Sequence, residues 1–160
     1  MPHTFELSSE LAISPDTFWE HATLADVNAE LAPWVRMTAP RPWKTAPLRT
    51  WPAGRQLFRS WILLFGVVPV DVHTFCLVRI EPSSGFDERS TSLVNRIWAH
   101  SRSVQPSAQG CIVTDRVTTE ARLPVLGALL APVYRAIFSS RHRYLRRLHP
   151  GAQAGDADPG

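Results

Sequence analysis

The sequence has few cysteines and no long apolar run. Cys76 and Cys111 are far apart and lack the spacing of a metal site, so we predict a reduced thiol pair, with a disulfide as the alternative. No segment approaches the ~20 consecutive apolar residues that are needed to cross a bilayer. The opening residues, MPHTFELSSE, have neither the basic start nor the apolar run of a secretory signal. These absences predict a cytoplasmic protein.

Several motifs of catalytic and cofactor sites are also missing. There is no Gly-rich phosphate loop, no His-x-Glu or paired-Cys metal motif, and no Gly-x-Ser-x-Gly turn for a nucleophile. We therefore predict no metal and no cofactor, and we look for a site that is built from ordinary side chains.

The composition is that of a globular protein. Of the 160 residues, 44% are hydrophobic and 19% are charged, and the formal net charge is +3. A chain of this length suits one domain. We predict a single domain over residues 1–149, followed by a polar, Gly/Ala-rich and disordered tail over residues 150–160.

The first third of the chain alternates between strand and helix signals. Alternating apolar residues predict a strand over residues 3–13. Ser14-Pro15-Asp16 then carries an N-cap, a first-turn proline and an acidic residue, which together indicate a helix start. The helical pattern runs to about Leu31, and we expect it to divide into two short helices. A second strand is predicted over residues 34–38.

Residues 39–53 hold four prolines and two tryptophans. Proline cannot donate a hydrogen bond to a sheet, so we predict a loop or a broken edge strand. The tryptophans either cap a cavity or cover the core beneath a long loop.

The remainder predicts strands and one long helix. Strands are predicted over residues 56–65, 72–80 and 86–92, with a turn around Pro69. After Pro124 the apolar residues recur at helical spacing to Leu148, and Pro132 is expected either to kink the first turn or to begin the main helix.

Residues 97–122 predict a β-hairpin whose strands are joined by a Pro/Ser/Gly-rich loop. Pairing around the loop centre would place His100 opposite Asp115 on one face, because side chains alternate with period two. The same register sets Val104 opposite Cys111, Arg102 opposite Val113 and Trp98 opposite Val117. Counting through the preceding turn sets Arg89 near His100, although a one-residue error would reverse that facing.

Three segments resemble the START-related superfamily (SRPBCC), which includes pollen-allergen-like proteins, polyketide cyclases and lipid-transfer domains. They are ISPDTFWEHATL, the hairpin WAHSRSV…GCIVTDRVTTEARLP and the terminal helix LLAPVYRAIFSSRHRYLRRL. The resemblance implies an α+β helix-grip fold, in which a curved antiparallel sheet of six to seven strands wraps a long C-terminal helix. It also implies two short helices after the first strand and a ligand cavity between sheet and helix. In this family alternate residues of the last strand face the cavity.

These expectations define a candidate site. Asp115 would orient the ring of His100, making His100 a general acid or base. Arg89 or Arg102 would neutralise a carboxylate or enolate on the ligand. The predicted ligand-binding residues are Arg89, Trp98, His100, Arg102, Val113, Asp115, Val117, Leu130, Val133 and Ile137, and His100 and Asp115 are the catalytic candidates.

Three functions follow as hypotheses. The first is binding of a small hydrophobic or amphiphilic molecule, and the second is a cofactor-free polyketide cyclase or dehydratase-like enzyme that uses the His-Asp pair. The third is contact with an anionic membrane or partner through the basic end of the last helix, Arg135 to Arg147. No aromatic platform accompanies these arginines, so no nucleic-acid partner is predicted. A solvated polar face, or an ion network that binds nothing, would explain the same residues without any ligand.

Overall fold

The computed structural model describes residues 1–20 and 22–150. These residues form seven strands, four α-helices and one 3-10 turn. In order they are β1 (His3–Leu11), α1 (Pro15–Glu20), α2 (Leu24–Leu31), β2 (Val35–Met37), α3 (Arg41–Thr45), a 3-10 turn (Leu48–Thr50), β3 (Arg55–Leu64), β4 (Val68–Glu81), β5 (Gly85–Ser92), β6 (Asn95–Ser107), β7 (Gly110–Ala121) and α4 (Pro124–Leu148).

The strands form one antiparallel sheet in the order β1-β7-β6-β5-β4-β3-β2. From β2 to β7, each strand therefore pairs with the strand that follows it in the chain, and β1 pairs with β7. The sheet curls around α4, which packs against β1, β7 and α2. This is the predicted helix-grip architecture, and its α+β class and seven strands confirm the expected fold.

The two short helices after β1 begin at residues with capping side chains. Ser14 Oγ accepts a hydrogen bond from the backbone N–H of Thr17 at 3.2 Å. Thr23 caps α2 through a reciprocal box with Asp26, in which each side chain accepts from the other's backbone N–H. The predicted division of the 15–31 segment is thus explained by a new N-cap at Thr23.

Residues 39–53 differ from their prediction. They form α3 and the 3-10 turn rather than an irregular loop or an edge strand. Pro42 lies in the first turn of α3 and Pro47 immediately precedes the 3-10 turn, and at both positions the missing N–H costs no intrahelical hydrogen bond. Trp51 is buried, and its ring lies 5.6 Å from those of Phe58 and Phe75. These tryptophans cover the core and do not line the pocket described below.

Two further boundaries are corrected. Pro69 lies inside β4 at a bulge opposite Leu63, and the turn is formed by residues 65–67. Helix α4 begins at Pro124 and continues through Pro132, so Pro132 does not begin the main helix.

Both cysteines are free thiols, as the reduced interpretation predicts. The predicted tail beyond Pro150 lies outside the described residues.

No helix within residues 1–20 and 22–150 has both the length and the apolar character of a membrane span.

Candidate functional site

The β6–β7 hairpin is tighter than predicted. Ser107 pairs with Gly110, so only residues 108 and 109 form the turn. His100 therefore lies opposite Val117, and Arg102 lies opposite Asp115. The predicted partners are each wrong by two residues, but an even shift keeps every side chain on its predicted face. His100, Arg102 and Asp115 are all buried on the inner side of the sheet.

Arg102 is the centre of a buried ion cluster. Its Nε and Nη2 donate to Asp115 Oδ1 and Oδ2 at 2.8 and 2.7 Å, which is a two-bond, planar arrangement. Its Nη1 and Nη2 donate to Glu30 of α2 at 3.2 and 3.0 Å. Two carboxylates thus satisfy this guanidinium, and they raise its pKa even though burial alone would lower it.

Helix α4 adds two more polar side chains to the cluster. Arg141 Nε and Nη2 donate to Glu30 Oε2 at 3.1 and 2.6 Å, and His142 Nε2 lies 3.1 Å from Asp115 Oδ2. His142 Nδ1 lies 2.8 Å from Ser9 Oγ on β1. The cluster therefore joins α2, β1, β6, β7 and α4.

The carboxylates of the cluster are held in their charged forms. Burial would raise the pKa of Asp115, but the charge of Arg102 and hydrogen bonds from Arg102, His100 and His142 hold it well below its ordinary value. Burial likewise opposes ionisation of Glu30, and Arg102 and Arg141 lower its pKa nonetheless. The two carboxylates of the cluster and its two guanidinium groups therefore neutralise one another.

His100 has a carboxylate at each ring nitrogen. Its Nε2 donates to Asp115 Oδ1 at 2.8 Å, and its Nδ1 lies 3.7 Å from Glu88 Oε2. The ring also packs edge-on against Phe86 and Phe138, with centroids 5.1 Å away in both cases. These contacts fix the ring, and they leave neither nitrogen without an acidic neighbour.

Glu88 forms a second polar group with His73. Its Oε1 accepts from His73 Nε2 and from Ser90 Oγ, both at 2.6 Å. Burial would raise the pKa of Glu88, but the neighbouring imidazoles of His73 and His100 lower it to about 2. Among the described residues, nothing is hydrogen-bonded to His73 Nδ1.

A pocket of about 130 Å³ lies beside these groups, between the sheet, α2 and α4. It is similar in size to a protein cavity of roughly 150 Å³ that admits benzene. Its walls are mostly aliphatic and aromatic, and Glu88, His73 and His100 form part of one side. The apolar lining includes Leu24, Val27, Leu31, Val35, Met37, Leu48, Ile62, Phe75, Phe86, Trp98, Ile137 and Phe138.

The structure distributes the predicted site residues unevenly. Trp98, His100 and Ile137 line the pocket, whereas Arg102 and Asp115 are buried behind it. Two valines of β7, at positions 113 and 117, are buried core residues. The involvement of these residues in ligand binding stays a prediction.

Three predicted residues lie elsewhere. Arg89 pairs with Ala99 and is exposed on the outer face, because Glu88 and not Arg89 lies opposite His100. Val133 is exposed, and Leu130 is half-buried on α4 without lining the pocket. The inward facing predicted for Arg89 and Val133 is therefore wrong.

The sequence prediction also omitted several polar residues that belong to the ion cluster or line the pocket. Arg141 and His142 lie in the basic segment that is expected to meet either solvent or an anionic partner, yet both are buried. Their spacing offered a signal, because both lie three or four residues from the buried Phe138 and Leu145. The other omitted residues are Glu30, Asp71, His73, Glu88, Asn95 and Tyr134. In the described part of the chain, no group of three or more His, Cys, Asp or Glu side chains is arranged to hold a metal ion.

The family model described as "Domain of unknown function (DUF8410)" matches residues 9–149. The chain belongs to the DUF8410 family. No curated protein matches it. The matched region begins within β1 and ends just beyond α4, so it includes every residue of the ion cluster and the pocket.

Several solved structures share the helix-grip fold of the DUF8410 chain. A START superfamily protein from Mycobacterium smegmatis has a TM-score of 0.58 at 10% identity, over 91% of this chain and 99% of its own. The di-domain ARO/CYC StfQ of the steffimycin biosynthetic pathway has a TM-score of 0.61 at 15% identity, over 92% of this chain and 50% of its own.

DynU16, a protein of the dynemicin biosynthetic locus, has a TM-score of 0.56 at 16% identity, over 92% of this chain and 48% of its own. This chain therefore spans about half the length of DynU16 and StfQ. At these identities the similarity establishes the fold, while function depends on the site.

Proposed function

We propose that the protein binds a small hydrophobic or amphiphilic molecule in the pocket between the sheet, α2 and α4. The observation that carries the proposal is the lining itself, because apolar side chains from α2, α4, the 3-10 turn and five strands (β2 to β6) surround a space that the core does not fill. Well-packed interiors leave few voids of this size. A mostly apolar hollow with a few polar groups is the usual form of a small-molecule site.

The polar side of the pocket is rigid, which suits orientation of a ligand. The Glu88 carboxylate is fixed by His73 and Ser90, and the His100 ring is fixed by Asp115. Side chains that are already held need not lose conformational entropy when a ligand arrives. The named biosynthetic relatives, StfQ and DynU16, are consistent with a small organic ligand for this chain.

The test is binding of toluene, measured by ligand-observed NMR, to two variants that each introduce tryptophan on a helix. Val27→Trp fills the pocket from α2, whereas Val125→Trp adds the same bulk on an exposed part of α4. We expect Val27→Trp to weaken toluene binding at least tenfold and Val125→Trp to leave it unchanged. Equal binding by both variants, or no binding by the natural protein, would refute the proposal.

Catalysis by His100 and Asp115 receives less support. A general base needs a nitrogen that can accept a proton from the substrate. In His100 one nitrogen bonds Asp115 and the other faces Glu88. The membrane hypothesis is likewise weakened by the burial of Arg141 and His142, which leaves fewer basic groups on the surface of α4.

A further inference from the structure

One end of the pocket holds a buried acceptor that the protein leaves unused. Asn95 lies at the start of β6, lines the pocket and is 2% exposed. Its Nδ2 donates to the Tyr134 hydroxyl at 2.8 Å, but its buried Oδ1 has no hydrogen-bond partner among the described residues. An unpaired buried acceptor is costly, and native proteins leave few of them without a function or a bound molecule.

The Tyr134 hydroxyl supplies the complementary group. Its oxygen accepts from Asn95, and within the described structure its own hydrogen has no acceptor. Burial raises the pKa of Tyr134, the Asn95 hydrogen bond opposes that effect, and the charge of Asp71 adds to it. The phenol therefore keeps its proton at neutral pH and remains a donor.

The charges nearby disfavour an anion at this end. Asp71 and Glu88 both line the pocket, and the only lining guanidinium in the described residues, Arg141, already donates twice to Glu30. The Asp71 carboxylate is close to Asn95, because Asp71 Oδ1 accepts from the backbone N–H of Val94 at 3.2 Å. A ligand carboxylate would meet like charges here.

We infer that this end of the pocket recognises a neutral hydroxyl group, a phenol or an alcohol, on the apolar ligand. A hydroxyl can accept from the Tyr134 O–H and donate to Asn95 Oδ1 at the same time. An ether or a carboxylate can only accept, and an ammonium can only donate. This inference rests on the proposed function and specifies the class of ligand that the same pocket takes.

The test compares phenol, toluene and benzoate by isothermal titration calorimetry on the natural protein. Toluene replaces the phenol hydroxyl with a methyl group of similar size, and benzoate carries the charge. A site built to bond a hydroxyl discriminates against analogues that lack it. We expect phenol to bind at least tenfold more tightly than either analogue, although toluene is the more hydrophobic molecule.

Two variants at position 95 test whether the preference for phenol over toluene depends on Asn95. Asn95→Leu removes the acceptor and is expected to abolish the preference for phenol over toluene, whereas Asn95→Gln keeps both the amide oxygen and the amide nitrogen and is expected to retain it. If toluene binds as tightly as phenol to the natural protein, the inference fails while the proposed function stands. If none of the three binds, both fail. Because the comparison of ligands needs no variant, a misfolded Asn95→Leu protein leaves the inference testable.

Discussion

Arg102 and Asp115 lie directly opposite each other on β6 and β7, joined by two hydrogen bonds of 2.8 and 2.7 Å with no exposure of the carboxylate. Glu30 adds its carboxylate from α2, and Arg141 neutralises it from α4. A buried ion cluster of this kind stabilises the protein only while it is complete, because removal of one member leaves the others charged and unpaired.

Asp115→Asn should therefore destabilise the protein strongly. It keeps the size of the side chain but leaves Arg102 with one carboxylate, and loss of one partner of a buried pair costs about 3–5 kcal/mol. Urea unfolding measures the change. The control is Asp87→Asn, which affects a partly exposed pair with Arg79 and should cost at most about 1 kcal/mol. Losses of equal size would mean that water reaches the buried cluster.

Arg141 and Arg143 provide a second comparison on one helix. Arg141 is buried against Glu30, and Arg143 is exposed two residues later. We expect Arg141→Met to lower the free energy of unfolding by about 3 kcal/mol or more, because Glu30 would lose one of its two cations. Arg143→Met should change it by less than about 0.5 kcal/mol. Denaturant unfolding of both variants is the measurement, and a reversed order would contradict the buried placement.

Glu88 should make stability depend on acid pH. Its pKa is lowered from 4.5 to about 2 by His73 and His100. A carboxylate with a depressed folded-state pKa contributes stability that is complete above its unfolded-state pKa and is lost as the pH falls through its folded-state pKa. The window therefore extends from about pH 4.5 down to about pH 2.

Glu88→Gln tests this dependence by unfolding at a series of pH values. The difference in unfolding free energy between the natural protein and Glu88→Gln should shrink as the pH falls below about 5, by about 3 kcal/mol over the whole window. Glu10→Gln removes an exposed carboxylate of β1 and serves as the control, with a much flatter difference expected. A constant difference for Glu88→Gln would indicate that its carboxylate is not held in the charged form.

Trp51 should contribute to stability and not to ligand binding. Its ring is buried among Phe58, Phe75 and Trp43 and does not itself line the pocket. Trp51→Ala is expected to cost about 3–5 kcal/mol. Trp61→Ala, at a 54% exposed position of β3, should cost much less. Folded Trp51→Ala and Trp61→Ala should both bind toluene as tightly as the natural protein does, and a selective loss in Trp51→Ala would instead make this ring part of the site.

The sequence predicted the fold well because strand and helix patterns are local. The inner face of β6 and β7 was also correct, since a two-residue error in register preserves the alternation of side chains. Arg89 shows the opposite case. There the error was one residue, which exchanged Arg89 for Glu88 beside His100.

The polar cluster was largely hidden from sequence reasoning for a different physical reason. Glu30, Arg141 and Asp115 are far apart in the chain, and each is a charged residue of a type that is usually exposed. Their burial depends on mutual neutralisation across three elements, which no local pattern records. The pocket depends equally on tertiary packing, since it is the space that α2 and α4 leave above the sheet.

The bonds of Glu30 to Arg102 and Arg141 also have a consequence for synthesis. The ribosome makes α2 and the whole sheet before it makes residue 141, so the acids at positions 30 and 115 emerge without the cations and imidazole of α4. An intermediate that lacks the last helix would have to bury incompletely neutralised charges, at a cost comparable to the stability of a small domain. Folding during translation should therefore be postponed until α4 has left the exit tunnel, and the domain should acquire protease resistance in a single late step.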